Sequence, residues 1–331
     1  LYLLPIHPIG KKARKGTKGS PYSIIDYYKI DESLGSKEEF IELIEQAHQR
    51  NMKVMIDIVF NHTSRDSILT NQHPEWFYKN ESGGFANRVG DWSDITDLDF
   101  NQRPVWDYLI GVLRYWAEIV DGFRCDVAPL LPIEFWIEAR KEVEKINPYM
   151  IWLTESVHGS FIKYLRDRGF ECSSDSQMYE AFDICYDYDI YEFMNDYLAD
   201  PKKLSRWLEE IYHQEYVYPK NYIKLRSFEN HDQPRLRSKV RDHVHFMQMI
   251  TLMFFVKGSP FIYAGQEHEI DHAPNLFEDD LIKWQPKDSI EADLKVLANL
   301  KKHKIFIDGI YEMHHSVDVA VLSYMYENQF L

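Results

Sequence analysis

The sequence is poor in the residues that build metal ribbons, disulfide scaffolds and nucleotide loops. Cys125, Cys172 and Cys185 are the only cysteines in 331 residues. They form no CxxC pair and no even framework, so neither a zinc ribbon nor a disulfide scaffold is indicated, and all three are expected to be reduced core residues. No GxGxxG or GxxxxGK[ST] segment occurs, which removes the usual phosphate-cradling signatures. The longest apolar run, Phe246 to Val256, contains Gln248 and Thr251. It is well short of the ~20 residues that cross a bilayer and reads as a buried helix. Positive charge is also scarce: 38 Lys+Arg against 53 Asp+Glu leave a net charge of −15, which repels a phosphate backbone or an anionic membrane surface. Nucleic acid and membrane are therefore set aside as partners, and nothing in the sequence sets an oligomeric state. No charged n-region precedes an apolar core, which leans toward a cytoplasmic location. The start at Leu1-Tyr2-Leu3-Leu4-Pro5 is expected to lie in the middle of a domain.

What is present is an ordinary globular balance, 45% hydrophobic and 27% charged. Lys53 to Phe60 is nearly continuous apolar and rich in branched residues, the pattern of a parallel strand buried on both faces. The preceding segment supplies the crossover helix that parallel strands need. Ser36 and Glu39 form a capping-box pair, and Phe40, Leu43, Ile44 and Ala47 make an apolar stripe. The alternation repeats, with strands expected at 1–6, 53–60, 121–128, 150–156, 177–184, 222–228 and 260–264. Helices are expected at 37–50, from Pro104, from Pro132, and around 160–168, 188–213, 240–257 and 289–303. Seven strands alternating with helices, and no nucleotide signature, favour an α/β (β/α)8 TIM barrel over an open doubly wound sheet. Residues 63–102 are too long and too rich in Asp, Asn and Gly for an ordinary βα loop, so they are expected to be an insertion over the C-terminal face.

The strand ends carry the chemistry. Asp57, Asn61 and His62 close one strand, Arg124 and Asp126 another, Thr154 and Glu155 a third, and Asn230, His231 and Asp232 a fourth. In a barrel such groups converge at one mouth. Arg124 and Asp126 lie two apart and share a face, and a guanidinium beside a carboxylate is expected to hold it ionised, as suits a nucleophile. Glu155 follows Ile151, Trp152 and Leu153, apolar surroundings that are expected to raise its pKa, as a general acid requires. Two carboxylates with separated pKa values are what glycoside hydrolysis needs.

Four segments in order, Asp57 to His62, Gly122 to Ala128, Thr154 to Ser156 and Phe228 to Asp232, resemble the four characteristic regions of the α-amylase family, glycoside hydrolase family 13. Ser20-Pro21-Tyr22 and Tyr263-Ala264-Gly265-Gln266-Glu267 resemble its flanking segments. The resemblance spans roughly 1–310. It implies a retaining hydrolase of α-1,4-glucosidic bonds in starch-like glucans or maltooligosaccharides, on a (β/α)8 barrel. Asp126 would be the nucleophile, Glu155 the general acid/base and Asp232 a third carboxylate stabilising the transition state. Tyr22, His62, Arg124 and His231 would bind substrate or orient the nucleophile. It further implies a barrel at 1–62 and 103–308 that lacks its first β/α unit, a domain B at 63–102, and the start of a β-rich C-terminal domain at 309–331. No cofactor is required by this reading. Asn61 resembles an asparagine that ligates calcium in many α-amylases, and Asp91, Asp94, Asp97 and Asp99 could add oxygen ligands; a solvated acidic loop is the alternative.

Pro129-Leu130 stands where many α-amylases carry Lys-His, and Val127 also occurs in α-1,6-acting members, so α-1,6- or α-glucosidase action or transglycosylation remains open. Outside that chemistry stand a metal-dependent barrel hydrolase using His7, His62 and His231, disfavoured because no HxH occurs at an expected strand end, and a non-catalytic carbohydrate-binding relative.

Overall fold

The structure, a computed structural model, describes residues 1–89, 92–284, 289–316 and 319–331. The chain forms two compact units, Leu1–Asp183 with Asn275–Asp279, and Ile184–Pro274 with Asp280–Leu331.

In the first unit, the strands are β1 (Tyr2–Leu3), β2 (Met55–Ile58), β3 (His62–Ser64), β4 (Ile95–Asp97), β5 (Gly122–Cys125) and β6 (Ile151–Thr154). β1, β2, β5 and β6 lie side by side in that order, all parallel. Their register sets Asp57 opposite Arg124 and Cys125 opposite Thr154, so one end of the sheet carries the polar positions. Gly122 permits the tight pairing: a Cβ there would stand 3.0 Å from the Ile151 carbonyl oxygen. The crossover helix Lys37–His48 begins with the expected capping box between Ser36 and Glu39. It buries Phe40, Ile44 and Ala47, whereas Leu43, placed on the same stripe from the sequence, is 43% exposed. Helix Arg103–Ala117 buries Val105, Leu109, Val112, Leu113 and Trp116, and helices Ile133–Glu144 and Gly159–Arg166 follow β5 and β6. β3 and β4 form an antiparallel pair at the base of the long segment after β2, with His62 opposite Asp97.

In the second unit, β7 (Ile184–Tyr186), β8 (Lys224–Arg226) and β9 (Ser259–Pro260) are again parallel. Helices Tyr191–Ala199, Leu204–Val217 and His243–Phe255 alternate with them. The strand expected at 177–184 is displaced: Ser174 and Gln177 make a capping box that starts a short helix, Asp175–Met178, and extended pairing begins only at Ile184. The apolar run at 246–256 is helical, with Phe246, Met249, Ile250, Met253 and Phe254 buried. After helix Glu291–Lys301, β10 (Ile310–His315), β11 (Ala320–Tyr326) and β12 (Gln329–Phe330) form an antiparallel meander. All three cysteines are free and buried. Among the described residues no helix is long and apolar enough to cross a membrane.

Candidate active site

The parallel ladder of the first unit delivers three carboxylates to one guanidinium. Arg124 Nη1 donates to Asp57 Oδ1 at 2.9 Å, to Asp57 Oδ2 at 3.0 Å and to Asp126 Oδ1 at 2.8 Å. Nη2 of the same fork lies 3.0 Å from Glu155 Oε2. Arg124 and Asp57 are fully buried, and Asp126 and Glu155 nearly so. Asp57 also accepts from the hydroxyls of Tyr2, at 2.7 Å, and Tyr22, at 2.9 Å, and the guanidinium lies 5.7 Å over the Tyr22 ring. The sequence places Arg124 beside Asp126. It does not show that Glu155 shares that arginine, nor that Tyr2 and Tyr22 meet on Asp57.

The electrostatic balance differs from the expectation in one respect. Burial pushes the Asp126 carboxyl well above the usual carboxylate range, the neighbouring Glu155 and Asp57 charges add to this, and Arg124 opposes it without prevailing. One guanidinium facing three buried carboxylates leaves an excess of negative charge, which a proton shared by Asp126 and Glu155 relieves. Two carboxyls that influence each other's protonation in this way can divide the roles of proton donor and nucleophile.

His62 is buried at the foot of the insertion, its imidazole 5.6 Å from the Trp92 ring. Burial lowers its pKa to about 4, with Asp94 opposing, so the ring is neutral near pH 7 and suited to hydrogen bonding. Asn61, Asp97 and the Leu98 carbonyl are claimed by Arg88. Nη1 donates to Asn61 Oδ1 at 3.3 Å and lies 3.4 Å from Asp97 Oδ2, Nη2 donates to Leu98 O at 2.8 Å, and the Arg88 amide reaches Asp97 Oδ2 at 2.9 Å. Burial still raises Asp97 to about 6. Asp94 pairs with Lys15 at 3.0 Å, and Asp99 accepts from Asn101. Asp91 lies outside the described residues. An oxygen set occupied by a guanidinium does not fit calcium, and among the described residues no cluster of three or more His, Cys, Asp or Glu could hold a metal.

In the second unit, His231 and Asp232 follow β8 as a pair, His231 Nε2 lying 3.0 Å from Asp232 Oδ2. Asn230 Oδ1 accepts from the Asp232 amide at 2.8 Å, and its Nδ2 donates to Tyr188 Oη at 2.7 Å, fixing the turn that presents them.

The sequence matches the family "Alpha amylase, catalytic domain" over residues 1–74 and 67–303. The chain belongs to the α-amylase family. Its structure superposes on an α-amylase from Lactobacillus plantarum with a TM-score of 0.97 at 40% identity, covering 99% of this chain and 78% of that one. A maltogenic α-amylase from Thermotoga neapolitana superposes at 0.88 and 35% identity, over 99% of this chain and 75% of that one. A curated maltogenic α-amylase from Bacillus acidopullulyticus is 28% identical over 81% of this chain and 46% of its own length. This family member spans about half or less of the first curated relatives it matches. The fold class expected from the sequence, the (β/α)8 barrel with an insertion after the strand ending near Phe60, is that of the family.

Three residues around the α-amylase-type carboxylates escaped the sequence reading. Tyr2 is an ordinary aromatic in an apolar strand until the β1–β2 pairing brings it to Asp57. Arg88 sits 27 residues from its partner Asn61, inside a loop with no periodicity. Val127, noted only for linkage preference, turns its backbone amide onto Glu155 Oε2 at 2.8 Å.

Proposed function

We propose that this chain carries the catalytic machinery of a retaining glycoside hydrolase acting on α-1,4-linked glucans or maltooligosaccharides. The observation that carries the reading is Arg124 binding Asp57 and Asp126 through one nitrogen while its other faces Glu155. Sequence-adjacent strands thereby hold two candidate catalytic carboxylates on one cation, and a retaining enzyme needs two carboxyl groups separated by about 5–5.5 Å. In this reading Asp126 attacks the anomeric carbon as Glu155 gives its proton to the departing oxygen. Glu155 then takes a proton from water as that water displaces Asp126 from the sugar, so configuration is retained. His62 binds hydroxyls as a neutral imidazole, and Tyr22, anchored through its hydroxyl to Asp57, offers its ring to a sugar face. His231 and Asp232 take the binding and third-carboxylate roles, supported by the Phe228–Asp232 motif.

Relatives named maltogenic amylase and cyclomaltodextrinase support short or cyclic α-glucans as substrates. Incubation with maltoheptaose, followed by early-time proton NMR, tests the reading. Initial α-anomeric short maltooligosaccharides support it. Glucose alone would favour an exo-glucosidase and longer products a transferase, while β-anomers or no reaction would overturn it.

A further inference from the structure

β5 ends at Cys125 and the chain must turn at once into the tight helical turn Ala128–Leu130. The turn is made at Val127, whose φ of 36° and ψ of 39° are left-handed. Glycine or asparagine adopts that conformation readily; a β-branched residue does so only at a cost and where its surroundings dictate it. They do here. The Asp126 amide is tied to Ile58 O at 2.8 Å, Leu130 N returns to Val127 O at 2.9 Å, and Trp136 Nε1 holds Ala128 O at 3.0 Å. The result is that the Val127 N–H, on the residue after the candidate nucleophile, donates at 2.8 Å to Glu155 Oε2, the same oxygen that lies 3.0 Å from Arg124 Nη2.

We propose that the Val127 N–H is a positioning group for the general acid/base, occupying Glu155 Oε2 and directing the transferable proton to Oε1. The Val127 N–H on Oε2, with the guanidinium charge 3.0 Å from the same oxygen, favours its role as acceptor and places the carboxyl hydrogen on Oε1. In the first half-reaction the Oε1–H bond breaks as a hydrogen forms on the leaving oxygen; in the second, Oε1 takes a hydrogen from the attacking water. The groups facing Glu155 include Arg124 and Asp126 from β5 and its end, with Asp57 of β2 behind Arg124. The inference deepens the proposed hydrolase reading and rests on it for the reaction, although the contact itself does not.

The test replaces the amide at 127 by an ester, using the hydroxy-acid analogue of valine, which deletes the N–H and keeps the side chain. Glu155 is followed by 13C NMR of labelled glutamate and assigned by its loss in Glu155→Gln. An N–H donated to a carboxylate favours the ionised form, so the ester raises the Glu155 midpoint by about one pH unit and moves the alkaline limb of kcat/KM the same way. An unmoved midpoint overturns the proposal, as does a pH-independent loss of activity of the kind a purely structural role gives. If the ester protein does not fold, the wild type still decides. The Val127 amide proton resonance follows the Glu155 midpoint and ceases to titrate in Glu155→Gln; an amide that ignores Glu155 overturns the proposal. A moved midpoint in a protein that cleaves no glucan leaves the contact standing and removes the reaction assigned to it, whereas turnover with an unmoved midpoint removes this inference alone.

Discussion

Asp57 and Arg124 are register partners in neighbouring parallel strands, and their buried ion pair at 2.9 Å is the foundation on which Asp126, Glu155 and Tyr22 are arranged. Asp57 never needs to meet a substrate to matter. Asp57→Asn breaks the buried pair that anchors the guanidinium and weakens the charge-assisted bonds from Arg124, Tyr2 and Tyr22, and is expected to cost about 3 kcal/mol of stability, with a fall in kcat larger than any rise in KM. Tyr2→Phe removes one of the two hydroxyls on the same carboxylate and is expected to cost about 1 kcal/mol. Urea unfolding of both variants checks the order; equal stability of Asp57→Asn and wild type would contradict it.

Glu155 raises the Asp126 pKa, so removing its charge must lower it. α-Maltosyl fluoride carries a leaving group that needs no proton, and Glu155→Gln is expected to release fluoride from it while failing on maltoheptaose. The acidic limb of kcat/KM for the fluoride should then lie below that of wild type. A limb that stays in place or rises contradicts the shared-proton description.

Arg88 binds the insertion to the end of β2 through Asn61, Asp97 and Leu98. Calcium or EDTA is therefore expected to leave the Tm of the wild type unchanged. Arg88→Ala strands a buried carboxylate and is expected to lose about 2–4 kcal/mol. Scanning calorimetry in both additives decides; a fall in the wild-type Tm on chelation contradicts occupation of these oxygens by Arg88 alone.

His7 is buried, and desolvation lowers its pKa to about 4. The folded ring thus stays neutral to about pH 4, while the unfolded one takes a proton below about 6.5. More protons bind the unfolded state between those values, so stability falls as pH drops through that window, by roughly 3 kcal/mol for this group. His7→Asn can keep the donor to Lys29 O but does not titrate. The loss of Tm from pH 7 to pH 5 should be smaller in that variant than in wild type; an equal loss contradicts the assignment.

The parallel strands were legible because a strand buried on both faces is nearly continuously apolar, as 53–60 is apart from Lys53 and Asp57, and because Ser36 with Glu39 marks a helix start by local hydrogen bonding alone. The carboxylates at 126 and 155 were legible through strand-end position and motif. The sense of the Asp126 shift was not. Arg124 is visible two residues away, whereas the opposing terms, burial and Glu155 across the β5–β6 pairing, exist only once the sheet has formed. The strand expected at 177–184 failed for the opposite reason, since local capping by Ser174 outweighed apolar content there.

The central claim is that Asp126 becomes covalently bonded to sugar. A 5-fluoro-α-maltosyl fluoride forms the glycosyl-enzyme through loss of the anomeric fluoride and slows its hydrolysis, so intact and peptide mass spectrometry can locate the adduct. The account predicts one added maltosyl group per chain, on the peptide containing Asp126, and none in Asp126→Asn. A turning-over enzyme that accumulates no adduct, or carries it on any other residue, would contradict the account.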